Sequence, residues 1–358
     1  MSSKENKHKL SVCYWPGRES SYSRNRVILR GLKLAGVDVY DCSFEGKVCS
    51  RFFKGLFRFL SVKKKSDLIL VGFFGHFLMP IVRLLTRKKL VFDAFVSVYQ
   101  TMVFDRQVFR PKGILAQLAR MADQSACNFA NTILLDTNQH IDYYVREYGL
   151  SESKFLRFPA SADDTVFYPR TGISEKDFLV HFHGEFQRLH GIDYIIEAAS
   201  LLPDIKFRMV GKGKGFNTIC KRSIAEGLTN IEFHPAVSYE KLAELMSEAS
   251  ICLGIFGKTK KAGMVIPHKV YEALAMGKPI ITSDTTAARE LLEDGKTAVL
   301  CPPGNSKALA AAIQYLREDE PLRRSLGSSG RALFKEKCLP ETLGKQLVSW
   351  AVEILQDS

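Results

Sequence analysis

No Cys-x-x-Cys pair occurs among the eight cysteines, Cys13, Cys42, Cys49, Cys127, Cys220, Cys252, Cys301 and Cys338. Thiols scattered in this way offer no zinc site and fit a reduced, cytosolic compartment. The opening stretch MSSKENKHKL has no apolar core of the kind a secretion signal carries. No unbroken apolar run reaches the ~20 residues that a membrane-crossing helix needs. The most apolar stretch, 68–85, is interrupted by Gly72, Gly75, His76, Pro80 and Arg83, and reads as a buried strand followed by a helix. Asp-x-Asp, internal repeats and low-complexity tracts are absent as well. What remains is a globular chain of 358 residues, 46% hydrophobic and 25% charged, long enough for two domains.

The net charge of +13 is unevenly placed. Residues 1–170 hold 27 Lys+Arg against 15 Asp+Glu, and the remainder 24 against 23. That asymmetry points to an anionic partner for the first half: a membrane, a nucleic acid or an acidic ligand. No nucleic-acid reader motif accompanies the basic residues, so nucleic acid is not expected. The stretch 51–65, RFFKGLFRFLSVKKK, interleaves Phe52, Phe53, Phe57 and Phe59 with Arg51, Lys54 and Arg58, and ends in Lys63, Lys64 and Lys65. Aromatic and basic residues on one helix suit peripheral contact with anionic lipid. A core-packed helix with solvated basic residues fits the same composition. Gly55 weakens the helical reading.

The second half centres on Gly263 to Gly295, GMVIPHKVYEALAMGKPIITSDTTAARELLEDG. Pro267 opens a helix expected to run to Met276, and Ile280 to Thr282 reads as a buried parallel strand. Lys269 and Glu272 are three apart and share a helix face. Beside a helix start, a lysine suits phosphate and a carboxylate suits ribose hydroxyls. A solvated Lys/Glu pair on an amphipathic helix has the same spacing.

Strands are expected at Leu10 to Trp15, Val37 to Cys42, Asp67 to Phe74, Leu90 to Val96, Thr132 to Leu135, Phe178 to His183, Lys206 to Val210, Ile231 to Phe233 and Ile251 to Ile255. Helical patterns alternate with them, which is the signature of doubly wound parallel sheets. Ligands of such sheets gather beyond the carboxyl ends of the strands. On that rule His76 and Asp93 are candidates for ligand contact. Phe158 to Glu175 has the turn-rich composition of a linker. A helix is expected over Glu341 to Leu355, with Leu343, Leu347, Trp350 and Ile354 on one face.

The segment around Glu272 resembles the nucleotide-binding signature of the family-four glycosyltransferases. In that family a glutamate lies eight positions before a second one, followed by A-x-G-x-P-V. Here Glu272 is followed by Ala273-Leu274-Ala275-Met276-Gly277-Lys278-Pro279, while Met264 stands at the first glutamate's place. The Pro267, Lys269, Glu272 spacing is similar to a common variant. Phe167-Tyr168-Pro169 resembles the end of the family linker, and Gly211-Lys212-Gly213 its V-G-x-G turn. The pattern G-R-x4-K-G is altered: Glu185 follows Gly184 in place of arginine, and His190 precedes Gly191 in place of lysine.

The resemblance implies an α/β chain of the GT-B fold, two Rossmann-like doubly wound domains facing across a cleft. Residues 1–165 would hold the acceptor, 166–340 the nucleotide-sugar donor, and the helix 341–358 would cross back to the first domain. It implies a hexosyltransferase that retains anomeric configuration and needs no metal or other cofactor. The partners would be a nucleotide diphosphate sugar and a lipid-linked or polysaccharide-precursor acceptor, met in the cytoplasm on the inner face of the cell membrane. Arg188 and Lys269 would stabilise the diphosphate, with His76 and Asp93 beside the acceptor. Gly17, Gly184, Gly211, Gly213, Met264, Val265, Ile266 and Glu272 would contact the donor. A nucleotide-sugar epimerase of the same architecture, and a non-catalytic nucleotide-sugar-binding subunit, are the alternatives. The missing glutamate at Met264 speaks against the first, and the altered Glu185, His190 and Met264 keep the second open.

Overall fold

The computed structural model describes residues 9–356 except 171, 173–176 and 214. Part of the expected linker and Lys214 of the glycine turn lie outside the described residues. Strands β1 (Ser11–Pro16), β2 (Asp38–Asp41), β3 (Leu68–Gly72), β4 (Leu90–Asp93), β5 (Thr132–Leu135) and β6 (Phe155–Arg157) form one sheet, ordered β2-β1-β3-β4-β5-β6. Strands β7 (Leu179–Glu185), β8 (Lys206–Lys212), β9 (Ile231–Pro235), β10 (Ile251–Leu253), β11 (Ile280–Ser283) and β12 (Val299–Cys301) form a second, ordered β12-β11-β10-β7-β8-β9. Every pairing in both sheets is parallel.

The first sheet is covered on both faces, and its central strands are accordingly buried at every position. From β2 to β6 each crossover advances in one direction along the sheet. Right-handed connection therefore places the helices Val48–Val62, Leu78–Leu85, Ile114–Phe129 and Asn138–Tyr148 on one face. Cys13, Trp15, Val71 and Phe92 point to that side and share its core with Phe59, Val82, Ala126 and Tyr144. The step from β1 to β2 runs the other way, so the helix Ser23–Leu34 covers the opposite face. There Val12, Tyr14 and Leu70 pack with Ile28, Leu32 and the terminal helix residues Leu343, Leu347 and Ala351.

The terminal helix, Pro340–Gln356, lies against the helix Ser23–Leu34 of the first domain. Two glycines let the backbones touch. A Cβ on Gly344 would stand 2.0 Å from the Gly31 carbonyl oxygen, and one on Gly31 would stand 2.5 Å from that of Pro340.

Gly55 does not interrupt the helix Val48–Val62. A Cβ there would come 2.5 Å from Trp15 Nε1, so glycine allows this helix to settle on β1. Phe52 and Phe59 meet Trp15 at ring separations of 6.1 and 5.3 Å, whereas Phe53 and Phe57 point outward, 56% and 71% exposed. Pro267 precedes its helix rather than opening it. It is the N-cap of His268–Ala275, in extended conformation, where its missing N–H costs no helical hydrogen bond.

Candidate functional site

The carboxyl edges of the two sheets face one another across a cleft of about 720 Å³. One wall is built from the loops after β1, β3, β4 and β5 and carries Arg18, Tyr22, Phe74, Phe95 and Asp136. Phe74 and Phe95 hold positive φ angles of 63° and 30°, backbone strain of the kind that collects at functional sites. The other wall comes from the loops after β7 and β8 and from the helix His268–Ala275. It carries Gly184, His190, Gly211, Lys269 and Glu272, with Val265 and Ile266 between the walls.

Lys269 is 5% exposed, and its Nζ lies 3.8 Å from the Phe182 ring centroid. That nitrogen has no hydrogen-bond partner. Burial holds the amine well below the usual lysine range. Gly184, at φ +141°, keeps the space in front of it clear. A Cβ there would sit 2.9 Å from Lys269 Nζ and 3.3 Å from His190 Cε1. A buried amine with no hydrogen-bond partner, aimed at a glycine loop, is complementary to an anion.

Glu272 Oε2 lies 2.7 Å from His183 Nε2, and His183 Nδ1 lies 3.2 Å from His181 Nε2. Burial alone would raise the Glu272 pKa, but the hydrogen bond and charge of His183 outweigh it and keep the carboxyl below its usual value. Burial in turn holds His181 well below the ordinary imidazole range, with the charge of His183 reinforcing it. This chain was not foreseen, yet its signal was present. In His181-Phe182-His183 the two imidazoles share one face of a strand, and the helix bearing Glu272 covers that face.

His190 Nδ1 donates to the Glu185 carbonyl. Burial, with Lys269 nearby, holds this ring well below the usual range. It is therefore neutral, and its Nε2 is an acceptor. Where the resembled signature has a lysine, this chain places a hydrogen-bond acceptor. Lys269, from the neighbouring helix, brings a nitrogen to the same place.

Several other expected site residues lie elsewhere. Arg188 is exposed and borders a different cavity. His76 is buried under Phe92, 3.2 Å from Asp123 Oδ1. Asp93 is fully buried in a two-point ion pair with Arg24, at 2.9 and 3.1 Å. Neither His76 nor Asp93 lines the cleft, and Asp93 is covered by Arg24, which stacks on Phe95 and Phe158. Gly17 also stays off the lining. A Cβ there would meet the Phe74 carbonyl oxygen at 2.1 Å, so its role is close backbone packing. Gly213, at φ +116°, turns the chain beneath Phe186. Met264 is buried, and its carbonyl accepts from Thr137 Oγ1 across the domain boundary.

Other contacts join the two walls. Lys261 pairs with Asp105 at 2.6 Å. Glu290 accepts from the amides of Asn138 and Gln139 at 2.8 and 3.0 Å. Among the described residues, no group of three or more His, Cys, Asp or Glu is arranged to hold a metal ion, and no helix is long and apolar enough to cross a membrane.

Residues 164–333 match the family model described as glycosyl transferases group 1. The alpha-D-kanosaminyltransferase of Streptomyces kanamyceticus is 23% identical over 73% of this chain and 68% of its own length. The phosphatidyl-myo-inositol mannosyltransferase of Mycobacterium leprae is 30% identical over 48% of this chain and 44% of its own. This chain thus spans from about half to two thirds of the curated relatives it matches. Among solved structures, the Anabaena protein HepE in complex with UDP-glucose superposes with a TM-score of 0.74 at 15% identity. That alignment covers 96% of this chain and 100% of the other.

Proposed function

We propose, from the match of residues 164–333 to the glycosyl transferases group 1, that this chain moves a sugar from a nucleotide diphosphate sugar to an acceptor in the cleft. The observation that carries the reading is Lys269, a buried amine without a partner, one helical turn from an ionised Glu272. The amine would meet the diphosphate, and the free edge of the Glu272 carboxylate would accept from ribose hydroxyls. Amides around Gly184 would complete the anion site. Charge developing on the departing diphosphate would be met by fixed protein groups rather than a metal ion. Transfer would retain configuration. His190, neutral and accepting through Nε2, would take a hydroxyl of the donor sugar.

The acceptor class proposed is a lipid-linked or polysaccharide-precursor saccharide, met at the cytoplasmic face of the cell membrane. Supporting this is the helix Val48–Val62, which exposes Phe53, Phe57 and Leu60 beside Lys54 and Arg58. A relative named for a phosphatidyl-myo-inositol acceptor supports it too. The deciding experiment incubates the protein with uridine, guanosine and adenosine diphosphate sugars and a membrane lipid extract. Sugar appearing in the lipid or saccharide fraction supports the reading. Donor binding with no transfer or epimer formation points instead to a binding subunit.

A further inference from the structure

A second cavity of about 830 Å³ adjoins the cleft and shares Gln187 and Lys261 with it. Both domains wall it. Tyr99, Phe104 and Tyr143 come from the first, and Arg188, Lys258 and Lys260 from the second. Three carboxylates also face it, two of them paired with cations elsewhere and the third bonded to a hydroxyl. Glu147 pairs with Arg120 at 2.8 Å, Asp193 with Arg222 at 2.6 Å, and Glu197 accepts from Ser306 Oγ at 2.5 Å. Among the described residues no carboxylate pairs with Arg188, Lys258 or Lys260. Lys258 and Lys260 stand over the rings of Tyr194 and Tyr143, at 5.8 and 5.2 Å. Three cations against the one uncompensated carboxylate of Glu197, on an aromatic lining, leave a net positive site that selects an anion.

The surface next to this cavity is apolar. Phe104, on its lining, is 45% exposed. The chain continues through exposed Val108, Arg110 and Lys112 into the helix Ile114–Phe129. That helix turns Ile114, Leu118 and Met121 outward, one stripe by spacing, 81%, 53% and 61% exposed. Leu115 beside them is 58% exposed, and Leu84 on the neighbouring helix Leu78–Leu85 is 87% exposed. An exposed apolar stripe bordered by basic residues is the physical description of a surface that meets anionic lipid.

We propose that the second cavity binds the phosphate-bearing headgroup of a lipid, with the Ile114–Met121 stripe inserted among the acyl chains of the membrane that presents it. The further step, that this lipid carries the acceptor, rests on the glycosyltransferase reading. The anion site and the insertion face do not.

The test uses the full chain in calorimetry with dihexanoyl phosphatidic acid below its micelle concentration, with inorganic phosphate as the comparison. The wild type is expected to bind the lipid at least tenfold tighter than inorganic phosphate. R188Q/K258Q/K260Q, three changes at the cavity surface, should weaken lipid binding at least tenfold and leave nucleotide-sugar affinity within twofold. I114S/L118S/M121S should keep the affinity for inorganic phosphate but no longer float with phosphatidylglycerol vesicles. Lipid binding unchanged by the triple glutamine variant overturns the anion site. Inorganic phosphate binding as tightly as the lipid overturns the lipid assignment, and unchanged flotation of the serine variant overturns the insertion face. If no nucleotide sugar binds while the lipid results stand, the donor reading fails and this inference survives.

Discussion

Lys261 Nζ, from the second domain, lies 2.6 Å from Asp105 Oδ2 of the first, with side chains only 8% and 1% exposed. Breaking such a pair on one side strands a buried charge, at a cost of about 3–5 kcal/mol, whereas replacing both partners with apolar groups is often neutral. Asp105→Leu and Lys261→Met should each lower the urea midpoint markedly, and the two together should recover most of the loss. Strictly additive losses in this cycle would show that the two residues are not coupled.

Lys269 should trade stability for binding. Its amine is held below the usual range by burial, so between its folded value and the ordinary lysine value the unfolded chain holds a proton there that the folded chain does not. The folded state is penalised on this account below the ordinary lysine value of 10.5, and the penalty fades as pH rises toward it. Lys269→Met is therefore expected to raise Tm by a few degrees at neutral pH and by less at about pH 10. It should also weaken nucleotide-sugar binding at least tenfold, about 1.4 kcal/mol. In the wild type, donor affinity should strengthen as pH falls, because the anion favours the protonated amine. A lower Tm in the methionine variant would mean that the amine is already compensated.

His183 and Glu272 should separate positioning from contact. Glu272→Ala removes hydrogen bonds to a charged group worth on the order of 3 kcal/mol and should weaken nucleotide affinity accordingly. His183→Ala leaves the carboxylate in place but unanchored, so a smaller loss is expected, with a changed pH dependence of donor binding. His183→Gln, which keeps a donor near Nε2, should restore part of it. Calorimetry with a nucleotide diphosphate decides. Equal affinity for wild type and Glu272→Ala removes the ribose role.

Membrane contact through 51–65 is checked with liposomes. Lys63, Lys64 and Lys65 replaced by glutamine should reduce sedimentation with anionic vesicles, at about 1 kcal/mol per charge near the surface. Lys63 already donates to the Leu85 carbonyl at 2.7 Å, so Lys64 and Lys65 should account for most of the effect. Phe53→Ser with Phe57→Ser should weaken the salt-resistant part. Phe52 is not a suitable target, since it packs on Trp15. Wild-type sedimentation by the triple glutamine protein would leave the helix with a packing role alone.

The alternation of strands and helices was legible because periodicity is local. So was the pairing of Lys269 with Glu272, two residues on one turn of one helix. Long-range chemistry was not. His76 and Asp93 stand where ligands gather in open sheets, yet Arg24, 69 residues before Asp93 in the chain, neutralises it and helps to seal the strand ends. Arg188 sits one residue from Gln187 and Leu189, which do line the cleft. The short turn Arg188–His190 sends its side chain to the neighbouring cavity, and no spacing rule resolves one residue in such a turn. β6, three residues at a sheet edge, is too short for any period to show.

Glu290 is a helix cap that one domain lends to the other. Asn138 and Gln139 begin the helix Asn138–Tyr148, and their amide hydrogens are held by a carboxylate from across the cleft. Any parting of the domains hands those two hydrogens to water. Their exchange with deuterium would then count openings of the whole molecule, and a ligand that draws the domains together would slow it. The chain carries its own isotopic clock at a helix end off the cleft lining.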